Sequence, residues 1–130
     1  MASALYPTFK EALLNKEHDL NSDTIKACLV NLATDYTYSA AHDQLADVTR
    51  YAGTTDQTIT SPTIASGVFD GANVTFTAVA ISGSKTVAAI VLYNDTLAGD
   101  ELICYIDGFT PITPNGGDIV VTWGANIFSL

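Results

Sequence analysis

Basic side chains are scarce in this sequence. Its 130 residues carry five lysines and arginines against fourteen aspartates and glutamates, a formal net charge of −9. Phosphate backbones are gripped by several cations that displace condensed counterions, so nucleic acid is a poor partner. An anionic membrane surface is disfavoured by the same sign of charge. Long apolar runs are missing too. The longest, Val87 to Tyr93, is far shorter than the roughly 20 residues of a spanning helix. The opening MASALYPTFKEALLNKEHDL has no basic stretch ahead of an apolar one, and Pro7, Lys10 and Glu11 interrupt it, so no signal peptide is expected. Cys28 and Cys104 are the only two cysteines. Both sit in apolar, strand-like segments, which reads as buried free thiols and a reducing cytoplasm rather than a disulfide framework.

Catalytic constellations are equally thin. His18 and His42 are the only histidines, and a zinc site would have to recruit Cys28 and Cys104 from the expected core. His42 has serines around it, but no Gly-x-Ser-x-Gly elbow presents a nucleophile; it is expected to face solvent from a helix. Ser82-Gly83-Ser84-Lys85 matches a Ser-x-x-Lys pattern, yet its glycine and serines read as a hairpin turn. It also lacks the spacing of a phosphate loop. Asp95, Asp100 and Glu101 cluster without a calcium-loop register and read as a solvated acidic turn. The triplets Asn73-Val74-Thr75 and Asn94-Asp95-Thr96 are glycosylation signals only on a secretory route. The expectation is no enzyme, no cofactor and no metal.

What remains is material for a core. Hydrophobic residues make up 48% of the chain and charged ones 15%, the balance of a folded domain. One domain over residues 1–130 is expected, with an N-terminal helix at about 4–15 and a β-rich body from about 23 to 130. Leu5, Phe9 and Leu13 recur at helical period, with Ser3 as a possible cap and Pro7 tolerated in the first turn. Residues 23–30 read as a strand. Ala40, Ala41, Gln44, Leu45 and Val48 predict a second short helix between Tyr36 and Tyr51. Gly53 to Gly67 reads as edge strand or loop, since Pro62 bars a central position. Val74, Phe76 and Ala78 alternate with Asn73, Thr75 and Thr77 in a half-buried strand. Thr86 to Tyr93 is apolar enough to be covered on both faces at the centre of the core. Glu101 to Ile106, Asp118 to Trp123 and Ile127 to Leu130 complete the set. The fold class is therefore mainly β: an antiparallel β-sandwich or open barrel with a short N-terminal helix and a second short helix.

Large aromatics fall near loops and element ends: Tyr6, Phe9, Tyr36, Tyr38, Tyr51, Phe109 and Phe128. Each alone is expected to pack helices and loops onto the sheet; as a group they hint at a binding protein.

The order of short segments resembles a family of small virion structural proteins of tailed bacteriophages. It is carried by Ala4-Leu5-Tyr6, Phe9 to Leu14, Asp23 to Lys26, Tyr36-Thr37-Tyr38 and Ala41-His42-Asp43, then by Gly67 to Asp70 and Val74-Thr75-Phe76. It continues through Ile90 to Thr96, Ile103 to Asp107, Gly117-Asp118-Ile119 and Trp123. The resemblance implies a head decoration, or cement, protein, made in the host cytoplasm and placed on the virion surface. Its partner would be the major capsid protein, and it would assemble as a homo-oligomer, dimer or trimer, matching local capsid symmetry. Gly53 to Ser66 is shorter and richer in threonine than that family leads one to expect, so no contact residue is carried over. Leu5, Tyr6, Phe9, Tyr36 and Tyr38 are the interface candidates. Two other readings stand beside this one: a tail or head-completion component, and a carbohydrate-binding sandwich for host attachment that stacks sugars on Tyr36, Tyr38 or Tyr51.

Overall fold

Alternating and continuous apolar runs become antiparallel strands in the structure, a computed structural model that describes residues 3–130. The first two residues of the expected domain lie outside it. In chain order the elements are β1 (Ser3–Leu5), α1 (Pro7–Leu14), β2 (Ile25–Val30), a 3-10 turn (Leu45–Asp47), β3 (Gln57–Thr58), β4 (Thr63–Ala65) and β5 (Val68–Asp70). Next come β6 (Val74–Phe76), β7 (Ala89–Asn94), β8 (Glu101–Ile106), β9 (Ile119–Val121) and β10 (Phe128–Ser129). The main sheet has the order β1-β8-β7-β2-β3; β10-β5-β4 and β6-β9 form two smaller ones. The expected mainly β, antiparallel class is what the chain adopts.

Strand β7 is the middle of the main sheet, and all six of its residues are buried. Its continuous apolarity has this cause: a strand covered on both faces has no wet side on which to place polar residues. Its neighbour β2 is buried except at Lys26, whose ammonium reaches the Asp95 carboxylate at 3.1 Å. Between β7 and β8 the register slips at Leu92/Tyr93, a bulge that adds one residue to β8 and changes the strand's direction there. In β6, by contrast, Val74 and Phe76 are buried and Thr75 is exposed, the half-covered pattern that alternation predicts; the strand stops there, and Ala78, expected on the buried face, is exposed with a φ of +48°. Pro62 precedes β4, an edge strand with all three residues exposed, where a missing N–H costs no ladder bond.

Two expectations need correction. The N-terminal helix begins at Pro7, not near Ala4: Ser3 to Leu5 pair with Ile106 to Cys104 on the edge of β8. Pro7 is the first helical residue, where its fixed φ suits the helix and its missing N–H is no loss, and the cap position falls to Tyr6, which makes no side-chain cap bond. Ser3 is thus a strand residue rather than a cap. The second helix is absent; residues 36–51 form loops around the single 3-10 turn. The β8 edge captures this backbone: Leu45 N–H donates to Asp100 O (3.0 Å) and Leu102 N–H donates to Asp43 O (2.9 Å). Pairing with an exposed sheet edge outweighs a weak helical period.

Buried side chains from every sheet join one continuous cluster. Phe9 of α1 meets Phe128 of β10 edge-on at 5.9 Å, and Phe128 stacks on Phe69 of β5 at 5.1 Å. Those contacts seat the helix and the β10-β5-β4 sheet against each other.

Candidate interaction surfaces

The tyrosines ahead of α1 and after β2 come together at the β1–α1 joint. Tyr6 leaves β1 with its N–H on Ile103 O (3.0 Å) and its ring fully buried. Its hydroxyl lies 2.7 Å from that of Tyr36, which in turn lies 2.8 Å from His42 Nδ1. Burial, reinforced by the Tyr36 hydroxyl, holds the Tyr6 phenol far above its ordinary value, so it stays protonated, and either hydroxyl of the Tyr6–Tyr36 pair can donate to the other. Thr8 Oγ1 donates to the His42 carbonyl at 2.8 Å, tying the loop to the helix. His42 is therefore a half-buried loop residue bonded to Tyr36, not a solvent-facing helix residue.

Of the five interface candidates, Tyr6, Phe9 and Tyr36 are packed inside the subunit, at 0%, 1% and 4% exposure. Leu5 and Tyr38 are half-buried. Tyr38 lies 5.2 Å from the rings of both Tyr6 and Tyr105. With Leu32, Tyr36, Tyr105 and Asp107 it lines a shallow depression of about 340 Å³. Tyr51, a proposed sugar platform, is buried, its hydroxyl donating to Ala80 O at 2.9 Å. Tyr38 alone of the three proposed platforms keeps an accessible face.

Sequence reasoning missed two further surfaces. Below α1, Thr8, Glu11, Asn15, Glu17, Asp43 and Glu101 surround an acidic hollow of about 210 Å³. Burial, with Glu17 and Asp43 adding their charge, pushes the Glu101 carboxyl above its ordinary value. On another side, Phe109, Ile112, Ile119 and Val120 border an apolar groove of about 200 Å³, with Ile112 and Val120 38% and 60% exposed. Ile112 belongs to a run broken by Pro111 and Pro114, and Val120 to the outward face of a three-residue strand, so neither signals a surface by periodicity.

The residues weighed for chemistry are otherwise employed. Ser82–Lys85 is a turn closed by Lys85 N–H on Ser82 O (3.1 Å), and the Lys85 ammonium pairs with Asp35 at 2.6 Å. Asp95 pairs with Lys26, and Glu101 Oε2 lies 3.1 Å from His18 Nε2. Arg50 Nε donates to Asp56 Oδ2 at 2.8 Å, the same oxygen that accepts from the Tyr93 hydroxyl. Cys28 and Cys104 are buried and unpaired on the strands either side of β7, and burial pushes both thiols up to about 12. Among the described residues no group of three or more His, Cys, Asp or Glu is placed to hold a metal ion, and no helix is long and apolar enough to cross a membrane.

Comparison with models of known protein families, with curated proteins and with solved structures returns no match.

Proposed function

We propose that this chain is a structural protein of a tailed-bacteriophage virion, a head decoration subunit that binds the outer surface of the major capsid protein lattice and stabilises it. The observation that carries the reading is the ordered set of segments that resembles that family, running from Ala4 to Trp123. Those segments form a connected framework: Ala4-Leu5 in β1, Val74 to Phe76 in β6, Ile90 to Asn94 in β7 and Ile103 to Ile106 in β8. A cement protein needs a stiff body and contact surfaces rather than a reaction centre.

The mechanism is mechanical. Each subunit would bury surface on more than one coat subunit, so that separating capsomers must break those contacts as well. Repetition over the lattice turns modest affinities into a large resistance to internal pressure. A contact stable by itself needs roughly 1,200 to 2,000 Å² of total buried area, and less where a dimer or trimer binds through several arms. The half-buried Leu5 and Tyr38 are the retained contact candidates, and the groove beside Ile112 and Val120 adds apolar area.

The test is reconstitution. Purified protein is added to expanded capsids that lack it, and bound copies are counted after sedimentation. The expected outcome is saturation at a fixed ratio of order one copy per coat subunit, set by lattice symmetry, with a raised capsid melting temperature. Binding at a few copies per particle would replace this reading with a tail or head-completion role, and no binding would refute it.

A further inference from the structure

The segment between α1 and β2, residues 15–24, carries no regular structure, yet it holds a histidine whose side chain is wholly inaccessible. Phe9 of α1 covers the His18 ring edge-on at 4.9 Å. The two ring nitrogens face different strands. Nε2 lies 3.1 Å from Glu101 Oε2 at the start of β8; Nδ1 lies 3.1 Å from Asn94 Nδ2 at the end of β7.

Asn94 decides the protonation state of that ring. Its amide is fully buried and clamped from both ends: Oδ1 accepts from Thr96 N–H (3.0 Å), and Nδ2 donates to Asp23 Oδ2 (2.7 Å). Rotating the amide would set its oxygen against a carboxylate and its NH2 against an N–H. The Asn94 group that meets His18 is therefore a donor, so Nδ1 must be a bare acceptor and the ring's proton must sit on Nε2, which lies 3.1 Å from Glu101 Oε2 but is not aligned to donate to it. The imidazole is neutral, with one tautomer. A second proton has only Nδ1 to occupy, where it would meet another donor.

We propose that His18 is an acid-sensitive latch: docking of residues 15–24 onto the ends of β7 and β8 requires the neutral, Nε2-protonated ring, and a second proton on Nδ1 releases the segment. The charged groups around the ring are Glu17 on its own segment, Asp23 before β2 and Glu101 on β8; Glu101 itself faces Glu17 and Asp43. Burial lowers the His18 value and outweighs the pull of Asp23 and Glu17 in the other direction. A base whose value is lowered by folding contributes stability that is full above its ordinary value of 6.5 and is lost as pH falls below it. Glu101, raised by folding, has the opposite sign: its contribution falls as pH rises, so it opposes the His18 effect, and the His18→Gln comparison isolates the histidine.

The latch predicts two readouts. Nitrogen-15 NMR of the imidazole at pH 7.5 should show the Nε2–H tautomer for His18. Hydrogen exchange across residues 15–24, corrected for its intrinsic pH dependence, should accelerate several-fold between pH 7.5 and 5.5 in the wild type, with a ceiling of about tenfold for one group whose released value is 6.5. It should do so in His42→Gln as well, and stay flat in His18→Gln. An Nδ1–H tautomer, a doubly protonated ring at pH 7.5, or equal acid responses in the wild type and His18→Gln would each overturn the proposal. Should His18→Gln not fold, the tautomer and wild-type exchange decide it.

Discussion

Gly99 sits where a side chain has no room. Its φ is +83°, and an added Cβ would fall 2.6 Å from Nε2 of Gln44. Gln44 is the residue that caps the 3-10 turn, in a reciprocal arrangement with Asp47. Gly53 has nearly the same backbone, φ +79°, with nothing within 4 Å of an added Cβ. The pair separates two costs. Gly53→Ala should lose about 1–2 kcal/mol, the penalty of a left-handed backbone, and Gly99→Ala should lose more by the cost of displacing Gln44. Urea unfolding of both variants measures the difference, and equal losses would show that Gln44 moves aside freely. At this scale the sequence was informative about chemistry type and poor about position. Cys28 and Cys104 are the buried thiols their apolar neighbours imply, and Ser82–Lys85 is the expected turn. Tyr6, Phe9 and Tyr36 pack inside the subunit, as expected of each aromatic taken alone, and this leaves little of them for the interface role also considered for them. Whether an aromatic beside a loop faces inward depends on which distant segment folds over it, and Tyr6 meets Tyr36 from 30 residues away.

Helix α1 is short, eight residues, below the length at which a helix is stable by local bonds alone. It persists because Phe9 and Ala12 are buried, with Phe9 wedged between His18 and Phe128. Phe9→Ala should therefore cost about 3–5 kcal/mol, while Leu14→Ala, at a residue 85% exposed, should change stability by less than about 0.5 kcal/mol. Thermal or denaturant unfolding monitored by circular dichroism distinguishes them; comparable losses would mean that the helix is held by its whole apolar stripe. The same contrast explains which elements could be read in advance. Glu101–Ile106 and Ile25–Val30 have long, dense apolar patterns that leave one solution. The loop from Tyr36 to Tyr51 has Leu45 and Val48 buried three apart, as a helix would. Local period could not reveal that the β8 edge, already half-occupied by β1, would take Gln44 as a bridge partner opposite Glu101. The bulge at Leu92/Tyr93 was equally invisible, since it is a property of two strands together.

Across the whole molecule the charge balance is −9, and Lys26, Arg50 and Lys85 are each tied to an aspartate of the same chain. The outward surface is therefore strongly acidic, and self-repulsion should weaken the folded state at low ionic strength. Raising salt from about 0.01 M to about 0.1 M shortens the Debye length from about 30 Å to about 10 Å. The expected result at neutral pH is a melting temperature higher by a few degrees, read by scanning calorimetry. A decrease would mean that the three ion pairs outweigh the repulsion.

The strand order also sets a timetable for synthesis. Ser3 to Leu5 find their partners in Ile106 to Cys104, and Ile25 to Val30 find theirs in Asn94 to Ala89. At a translation rate of about 5–20 residues per second, the ribosome takes roughly 5–20 s to make the ~100 residues between the two ends of the β1–β8 pair. Until β7 is made, β2 waits with its apolar Ala27 to Val30 side chains uncovered and its β7-facing edge unmatched, the two-residue β3 being the one partner available to its other edge. The centre of the sheet is thus assembled late, from a strand that has waited and one that has just left the exit tunnel, and the nascent chain is most vulnerable to aggregation before β7 arrives.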